Sequence, residues 1–179
     1  MRVGQSNPSL EAQMQALVDK QTIYEVVARY CRGVDRLDLE LVRSCYHPDA
    51  AEHHPGFDGG RDDYIAWIGQ GLPRFEGTMH VIANHLVELD GDRARSETYV
   101  NAYHWAQPYD DADANFSTGS RYVDRFERRD GEWRIAERYC VRNWVRVEVG
   151  SGALQVPTAE NGWPAQKRDR SDLVYAPLY

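Results

Sequence analysis

The stretch RYVDRFERRDGEWRIAERYCVRNW, residues 121–144, decides the fold of this 179-residue chain. On both sides of Asp130-Gly131, charged and apolar residues alternate, as they do in antiparallel strands that bury one face. Asp-Gly is a favoured sequence for the tight turn of a hairpin. The pattern therefore predicts two long paired strands, residues 116–128 and residues 132–147.

A second hairpin is predicted just before the first. Residues 79–89 and 93–105 both have strand-like sequence, and Asp90-Gly91 between them is another tight-turn signal. The segment that joins the two hairpins, residues 107–114, is polar and acidic, so we expect an exposed loop there.

Helical patterns occupy the chain before the hairpins. Residues 17–34 carry apolar side chains at helical spacing, and these are Ile23, Val26, Val27, Tyr30, Cys31 and Val34. A second helix is expected from the N-cap Asp38 to Tyr46, where His47-Pro48 ends it, and a third over residues 62–71. Helices followed by paired strands indicate the α+β class: a curved antiparallel sheet wrapped around the N-terminal helices as a cone-shaped roll.

The predicted domain covers residues 1–149, with no repeat and no internal linker. Residues 150–179 are rich in Gly, Pro and polar residues, and we expect an extended tail packed on the domain or on a neighbouring subunit. Its apolar anchors would be Trp163, Leu173, Val174, Tyr175 and Leu178. The open end of the roll is a natural place for a pocket that binds a small molecule.

Composition excludes several classes of function. A net charge of −7 argues against binding to nucleic acid or to an anionic membrane surface. The N-terminal sequence has no apolar run, so neither a signal peptide nor a membrane span is expected. Three widely spaced cysteines without a C-x-x-C pair favour reduced thiols in a cytoplasmic protein.

The candidate chemistry centres on Asp35 and His80. Asp35 continues the apolar stripe of the first helix, where a carboxylate is costly to bury unless a partner satisfies it. His80 lies in an apolar strand and would be such a partner, with the carboxylate fixing the tautomer of the ring. The alternatives are a helix-terminus aspartate and a packed or surface histidine. If the two side chains meet in a cavity, they form an acid–base pair that needs no metal and no cofactor.

Three more side chains are candidates for the same site. His104 shares a strand face with Thr98, Val100 and Ala102, so it enters the cavity if that face is the inner one; the alternative is a solvent-facing histidine near a loop. Tyr30 can hydrogen-bond a carbonyl or a leaving group, or it is a core aromatic. Arg142 can hold a carbonyl or carboxylate at the pocket mouth, or it is a cation on the outer face.

Other motifs are too weak to carry a function. His47, His53, His54 and Asp49 suggest a metal site, but neighbouring histidines in a strand point in opposite directions, and a loop is the expected location. The glycine pairs lack the framework of a phosphate-binding loop, and no G-x-S-x-G nucleophile elbow occurs.

The chain resembles the SnoaL-like family of the ketosteroid isomerase and nuclear transport factor fold group. Three pieces carry the resemblance: RYCRGVDRLDLELVRSCYHPDA (residues 29–50), MHVIANHLVELDGDRARSETYV (79–100) and GSRYVDRFERRDGEWRIAERYCVRNW (119–144). The similarity covers most of residues 17–147. It implies a cone-shaped α+β roll without a cofactor, often as a homotrimer in which the tail meets a neighbour.

Within that group, the chain looks most like the branch of scytalone dehydratase, bile acid 7α-dehydratase and hexachlorocyclohexane dehydrochlorinase. The resemblance implies that Asp35 and His80 are the catalytic dyad, with Tyr30 and His104 beside it. It also implies an arginine on the last strand, either Arg142 or, after a small register shift, Arg138.

The implied activity is that of a lyase that eliminates water or halide from a small hydrophobic, cyclic substrate. The same dyad would also suit an isomerase or a polyketide cyclase. A non-catalytic ligand-binding protein, or the small subunit of a ring-hydroxylating dioxygenase, is a further alternative, although a scaffold does not need a dyad.

Overall fold

A computed structural model describes residues 8–108, 111–147, 167–172 and 175–176. In chain order, the elements are α1 (Leu10–Arg36), α2 (Leu39–Ser44), β1 (Tyr46–His54), β2 (Phe57–Gly60), α3 (Arg61–Gly71), a short 3₁₀ turn (Leu72–Arg74), β3 (Gly77–Asp90), β4 (Arg93–Trp105), β5 (Phe116–Arg129) and β6 (Glu132–Val147). Both predicted hairpins are present, with bounds that match to within two residues.

All six strands form one curved, unclosed sheet in the order β2-β1-β6-β5-β4-β3, and the N-terminal helices lie against it. The predicted α+β class is therefore confirmed. The sheet is mixed, because β1 runs parallel to β6 while every other neighbouring pair is antiparallel.

Strand β1 differs from the expectation for this part of the chain. The second helix ends at Ser44 instead of Tyr46, and the histidines assigned to a loop lie in the strand that follows. Because β1 and β6 are far apart in sequence, no local pattern predicts their pairing. Pro48 lies where the register of this pairing shifts, between Tyr46 and Ala51, and such an irregularity tolerates a residue without an N–H donor.

Helix α1 is longer than predicted, and its last turn positions the site. It begins at Leu10 after the N-cap Ser9, whose side chain accepts a hydrogen bond from the backbone N–H of Ala12 at 3.2 Å. Leu37 ends the helix in the left-handed region, with φ of 54°. The final turn of α1 packs on β3, and this places Asp35 against the sheet. None of the helices in the described ranges is long and apolar enough to cross a membrane.

A bulge in β3 alters the predicted alternation of its side chains. The register with β4 shifts between Ile82 and His85. Strict alternation along this strand predicts that His80, Ile82, Asn84 and Leu86 share one face. Before the bulge, His80 and Ile82 do face inward together. After it, His85 takes the inner face and Leu86 is 68% exposed, the reverse of a strict two-residue period.

Contacts of the C-terminal residues are described only in part. Tyr175 donates a hydrogen bond through its hydroxyl to Oδ2 of Asp38 at 3.0 Å, so this part of the tail contacts the helical layer. The other proposed anchors, Trp163, Leu173, Val174 and Leu178, lie outside the described residues. In the predicted loop, Gln107, Pro108 and residues 111–113 are exposed.

Gly33 lets α1 and α2 approach closely, which gives a first prediction. A Cβ atom at Gly33 would lie 2.7 Å from Cγ2 and 3.0 Å from the backbone N of Val42. Gly33→Ala should gain about 1 kcal/mol of helix propensity but lose about 1–3 kcal/mol to overpacking, a net loss in the free energy of unfolding. Gly71→Ala is the control, because nothing lies within 4 Å of its added Cβ. Urea unfolding measures both; a G33A variant as stable as G71A would contradict the close packing.

Candidate active site

Asp35 and His80 meet where the end of α1 reaches the start of β3. Nδ1 of His80 lies 2.7 Å from Oδ1 of Asp35. Oδ1 also accepts a hydrogen bond from Oγ1 of Thr78 at 3.0 Å, and Oδ2 accepts one from the backbone N–H of His80 at 2.9 Å. These donors satisfy a carboxylate that is only 8% exposed. The structure thus brings together the two side chains that the sequence analysis paired.

His80 lines a cavity of about 420 Å³ between the helices and the inner face of the sheet. Its lining residues are Tyr30, Val34, His54, Pro55, Tyr64, Trp67, Ile68, Gly71, Leu72, Arg74, Phe75, His80, Val100, Ala102, His104, Phe116, Thr118, Ser120, Tyr122, Cys140 and Arg142. Most of these side chains are apolar or aromatic, with a few polar groups among them, as is usual for sites that bind small organic molecules.

His104 enters this cavity, so the face that it shares with Val100 and Ala102 is the inner one. Its ring stacks on Phe116 with centroids 4.4 Å apart, meets the edge of Phe75 at 4.9 Å, and lies 6.0 Å from the ring of His80. Burial, followed by the proximity of His80, lowers the pKa of His104 to about 3. Its Nδ1 is buried without a hydrogen-bond partner among the described residues. His104 therefore offers the cavity a neutral imidazole.

A neutral, buried His104 predicts a loss of stability in acid. The unfolded chain binds a proton on this residue below about pH 6.5, whereas the folded chain binds it only near pH 3. Because the folded pKa is depressed, this contribution is complete above pH 6.5 and decreases by up to about 1.4 kcal/mol per pH unit as the pH falls towards the folded pKa. His104→Phe, which keeps an aromatic ring, should flatten the dependence of urea unfolding on pH between about 6 and 4.

The control for this measurement is His53→Gln, which removes a histidine that stacks on Tyr139 and does not line the cavity. The same acid-side slope in the wild type and in the His104→Phe variant would contradict the neutral assignment of His104.

Tyr30 lines the cavity, but its hydroxyl is already engaged. The oxygen lies 2.5 Å from the hydroxyl oxygen of Tyr64, and the side chain is 1% exposed. Burial, with the nearby negative charge of Glu52, raises the pKa of Tyr30 above its ordinary value. The phenol therefore stays neutral and serves as a hydrogen-bonding wall of the cavity.

The two candidate arginines have different positions. Arg142 is exposed and lines the cavity. Arg138 has no exposed surface and does not line the cavity; both carboxylate oxygens of Asp124 accept its hydrogen bonds, each at 2.7 Å. Its guanidinium also stacks on the rings of Tyr30 and Tyr122. Of the two, Arg142 is thus the one that can meet a ligand.

Sequence reasoning missed two groups that support Asp35. Thr78 follows from the strand period, since it lies two residues before His80 on the same face. Arg168 has no such signal: from the far C-terminal part it donates to the backbone oxygens of Asp35 at 3.4 Å, Leu72 at 3.1 Å and Phe75 at 2.5 Å. These hydrogen bonds hold this part of the tail next to Asp35.

The arrangement is suited to removing a proton from a bound molecule. The carboxylate of Asp35 accepts a hydrogen bond from Nδ1 of His80. The ring proton is therefore assigned to Nδ1, and Nε2 is the basic atom. When Nε2 takes up a proton, the carboxylate stabilises the imidazolium that forms. Because the side chains of His80 and Asp35 are only 9% and 11% exposed, water competes little for the base.

Known proteins of similar structure have this fold. A hexachlorocyclohexane dehydrochlorinase, LinA type 2, superposes with a TM-score of 0.70 at 19% identity, over 81% of this chain and 97% of its own. A scytalone dehydratase-like protein from Novosphingobium aromaticivorans gives a TM-score of 0.66 at 21% identity, over 80% and 99% of the two chains. At these identities, the likeness shows the fold alone.

Sequence comparison gives the family. The uncharacterised protein Rv2910c of Mycobacterium tuberculosis is 27% identical over 123 residues, which are 67% of this chain and 82% of that protein. The family model described as SnoaL-like domain matches residues 15–139, a span that contains both members of the Asp35–His80 pair. The chain belongs to the SnoaL-like domain family.

Proposed function

We propose that this protein is a lyase that works without a cofactor and performs β-elimination on a small hydrophobic, cyclic substrate. His80 removes a proton from carbon, while Asp35 orients its ring and stabilises the imidazolium. The observation that carries the proposal is the 2.7 Å contact between Nδ1 of His80 and Oδ1 of Asp35 at the wall of a cavity lined mainly by apolar and aromatic side chains. General base catalysis of this kind contributes about 10²–10⁴-fold to a rate.

The cavity supports a cyclic, hydrophobic substrate. A volume of about 420 Å³ is within the range for small-molecule sites, and the rings of Trp67, Phe75 and Phe116 give it flat apolar walls. Neutral His104 and charged Arg142 would polarise a carbonyl next to the carbon that loses its proton. Two proteins of the same fold bear the names of elimination enzymes, a dehydrochlorinase and a dehydratase.

The test is turnover of a compound panel with analysis of the products. The panel pairs cyclic β-hydroxy ketones with β-halo ketones on the same ring skeletons, and mass spectrometry follows loss of water or of hydrogen halide. We expect at least one skeleton to be turned over by the wild type and not by His80→Gln. Equal background rates for both proteins on every skeleton would contradict the proposal.

An isomerase or cyclase that uses the same dyad is the second candidate. The pairing of His80 with a neutral imidazole at 6.0 Å favours it, since such a group can hydrogen-bond an enolate oxygen. The product separates the two activities, because isomerisation and cyclisation by proton transfer conserve mass whereas elimination releases a small molecule. A non-catalytic role predicts ligand binding without any product.

We further propose that the protein forms a homo-oligomer. The resemblance to the family points to a trimer. The outer face of the sheet presents exposed Met79, Val81, Tyr99 and Tyr139, an apolar surface of the kind that partners cover. Light scattering at micromolar concentration tests this, and a purely monomeric protein would contradict it.

A further inference from the structure

A second carboxylate–histidine pair borders the same cavity. Glu52 and His54 are two residues apart in β1 and share its inner face. Nδ1 of His54 lies 3.3 Å from Oε1 of Glu52, and Oε2 of Glu52 accepts a hydrogen bond from the hydroxyl of Tyr46 at 2.8 Å. Glu52 has no exposed surface, while His54 lines the cavity. A buried carboxylate is thus joined through an imidazole to the substrate space.

Charge balance in the interior favours the protonated form of His54. Asp124 and Glu52 are both buried carboxylates close to Arg138, and the guanidinium pairs with Asp124 through two hydrogen bonds. Glu52 therefore needs a second cation, and His54 is the basic side chain that contacts it. Burial by itself lowers the pKa of His54, but hydrogen bonds to Cys140 and Glu52 outweigh it and raise the pKa to about 9.

The groups that face His54 come from three elements. Glu52 belongs to β1, the Cys140 thiol comes from β6, and Tyr64 and Trp67 come from α3, each with its ring 5.8 Å away. Glu52 is the acidic residue among them, so the surroundings favour the imidazolium.

His54 and His80 line the same cavity from strands that are far apart in the sheet. Their strands, β1 and β3, are separated by β6, β5 and β4, and the sheet is curved. A ring bound in the cavity can therefore contact both histidines. Each histidine is paired with a carboxylate, His80 with Asp35 and His54 with Glu52.

Elimination of a hydroxyl group needs such an acid. Hydroxide is a poor leaving group and departs as water once it is protonated, whereas a halide departs without a proton. The other candidates are less suited to donate: the hydroxyl of Tyr30 is engaged by Tyr64, and His104 is neutral.

We propose that His54, backed by Glu52, is the general acid that protonates a departing hydroxyl, so that the substrates are cyclic β-hydroxy compounds and the reaction is dehydration. This inference rests on the proposed lyase function and specifies its leaving group. In the step, Nε2 of His80 takes the carbon-bound proton, and the electron pair of that bond forms the C=C bond. The C–O bond breaks, and its oxygen takes the proton of His54 to leave as water. His54 then regains a proton, and His80 loses one, through solvent.

The protonation state of His54 can be measured without a substrate. In ¹⁵N NMR of the imidazole rings, we expect His54 to carry protons on both nitrogens at about pH 7.5, where an ordinary histidine is mostly neutral. Glu52→Gln should increase the neutral fraction of His54 at that pH, and His54→Gln assigns the signals. A neutral His54 in the wild-type spectrum would overturn the proposal even if the Glu52 variant does not fold.

Kinetics on matched leaving groups tests the role of His54 in the reaction. With a β-hydroxy ketone and the β-bromo ketone of the same ring, His54→Gln should lower kcat/KM about 10²–10³-fold for the hydroxy compound and much less for the bromide. Equal losses on both compounds would indicate a structural role, and no loss would exclude a role; either overturns the assignment. His53→Gln, one residue away on the outer face of β1, is the matched control.

The two proposals fail in different ways. If His80→Gln keeps full turnover, the lyase mechanism fails, while the NMR measurement still decides whether His54 is an acid. If His80→Gln abolishes turnover of both compounds and His54→Gln slows neither, the dyad stands and the assignment of His54 is wrong.

Discussion

His80→Gln is expected to lower kcat/KM by about 10²–10⁴-fold on any substrate found in the panel, with little change in the free energy of unfolding. Glutamine has no basic nitrogen, so proton removal loses its acceptor. It can still hydrogen-bond to Asp35, which keeps the buried carboxylate satisfied. Steady-state kinetics and urea unfolding on the same preparations measure the two effects, and a variant with wild-type turnover would contradict the mechanism.

Asp35→Asn tests the positioning part of the dyad. The amide oxygen can accept from Thr78 and from the backbone N–H of His80, so the local structure should persist. The variant loses the charge that stabilises the imidazolium, and the fall in kcat/KM should approach that of His80→Gln. Urea unfolding of the same preparation separates this effect from misfolding, because the fall in kcat/KM should come with little change in the free energy of unfolding. A fall in activity that is matched by a loss of folded protein would assign Asp35 a purely structural role.

Arg138→Met is expected to cost about 3–5 kcal/mol in the free energy of unfolding. The substitution leaves Asp124 buried without its cation, and both of these side chains are essentially inaccessible to solvent. Arg125→Met on the same hairpin is the matched control, since its side chain is 48% exposed and its ion pairs lie at the surface. That control should cost less than about 1 kcal/mol.

A double variant checks the reason for this loss. Arg138→Met combined with Asp124→Asn removes both charges, and it should recover a large part of the stability that the single variant loses. Urea unfolding of the wild type, of Arg138→Met, of Asp124→Asn and of the double variant provides the double-mutant cycle. An Arg138→Met variant that unfolds like Arg125→Met would contradict the interpretation of this pair as a buried ion pair.

The parts of the fold that follow from local sequence were predictable. Each hairpin contains an Asp-Gly turn between alternating strands, and α1 carries its apolar residues at helical spacing, so each pattern is complete within a short segment. Strand β1 was not predictable in this way, because it pairs with β6 across some ninety residues of chain. The bulge in β3 is also set by its partner strand, and it reversed the face expected for Leu86.

The buried ion pair of the roll was not predictable from the charge pattern. Asp124 and Arg138 occur among the alternating charged residues of the β5–β6 hairpin, where the pattern indicates a solvent-facing row. In the structure they face inward and pair across neighbouring strands. Sequence alone does not distinguish a charged side chain on the wet face from one that is neutralised inside.

The candidate site was predictable where one element sufficed. Asp35 lay on the apolar stripe of α1, and His80 and His104 lay on strand faces that the alternation identified. Glu52 and His54 were missed because β1 was taken as a loop, although their spacing of two is what places both on one face of a strand. Arg168 depended on the path of the tail, which no local pattern indicates.

The most direct test of the central claim follows the proton that His80 removes. A panel substrate carrying deuterium on the α-carbon, which lies between the carbonyl and the carbon that bears the leaving group, is converted by the wild type and by His80→Gln, and the label in the product and in the water is measured. Our account predicts that wild-type turnover releases the deuterium to water and is slowed by the label, and that His80→Gln does neither. Release of the label at the wild-type rate by His80→Gln, or retention of the label in the wild-type product, would contradict His80 as the base.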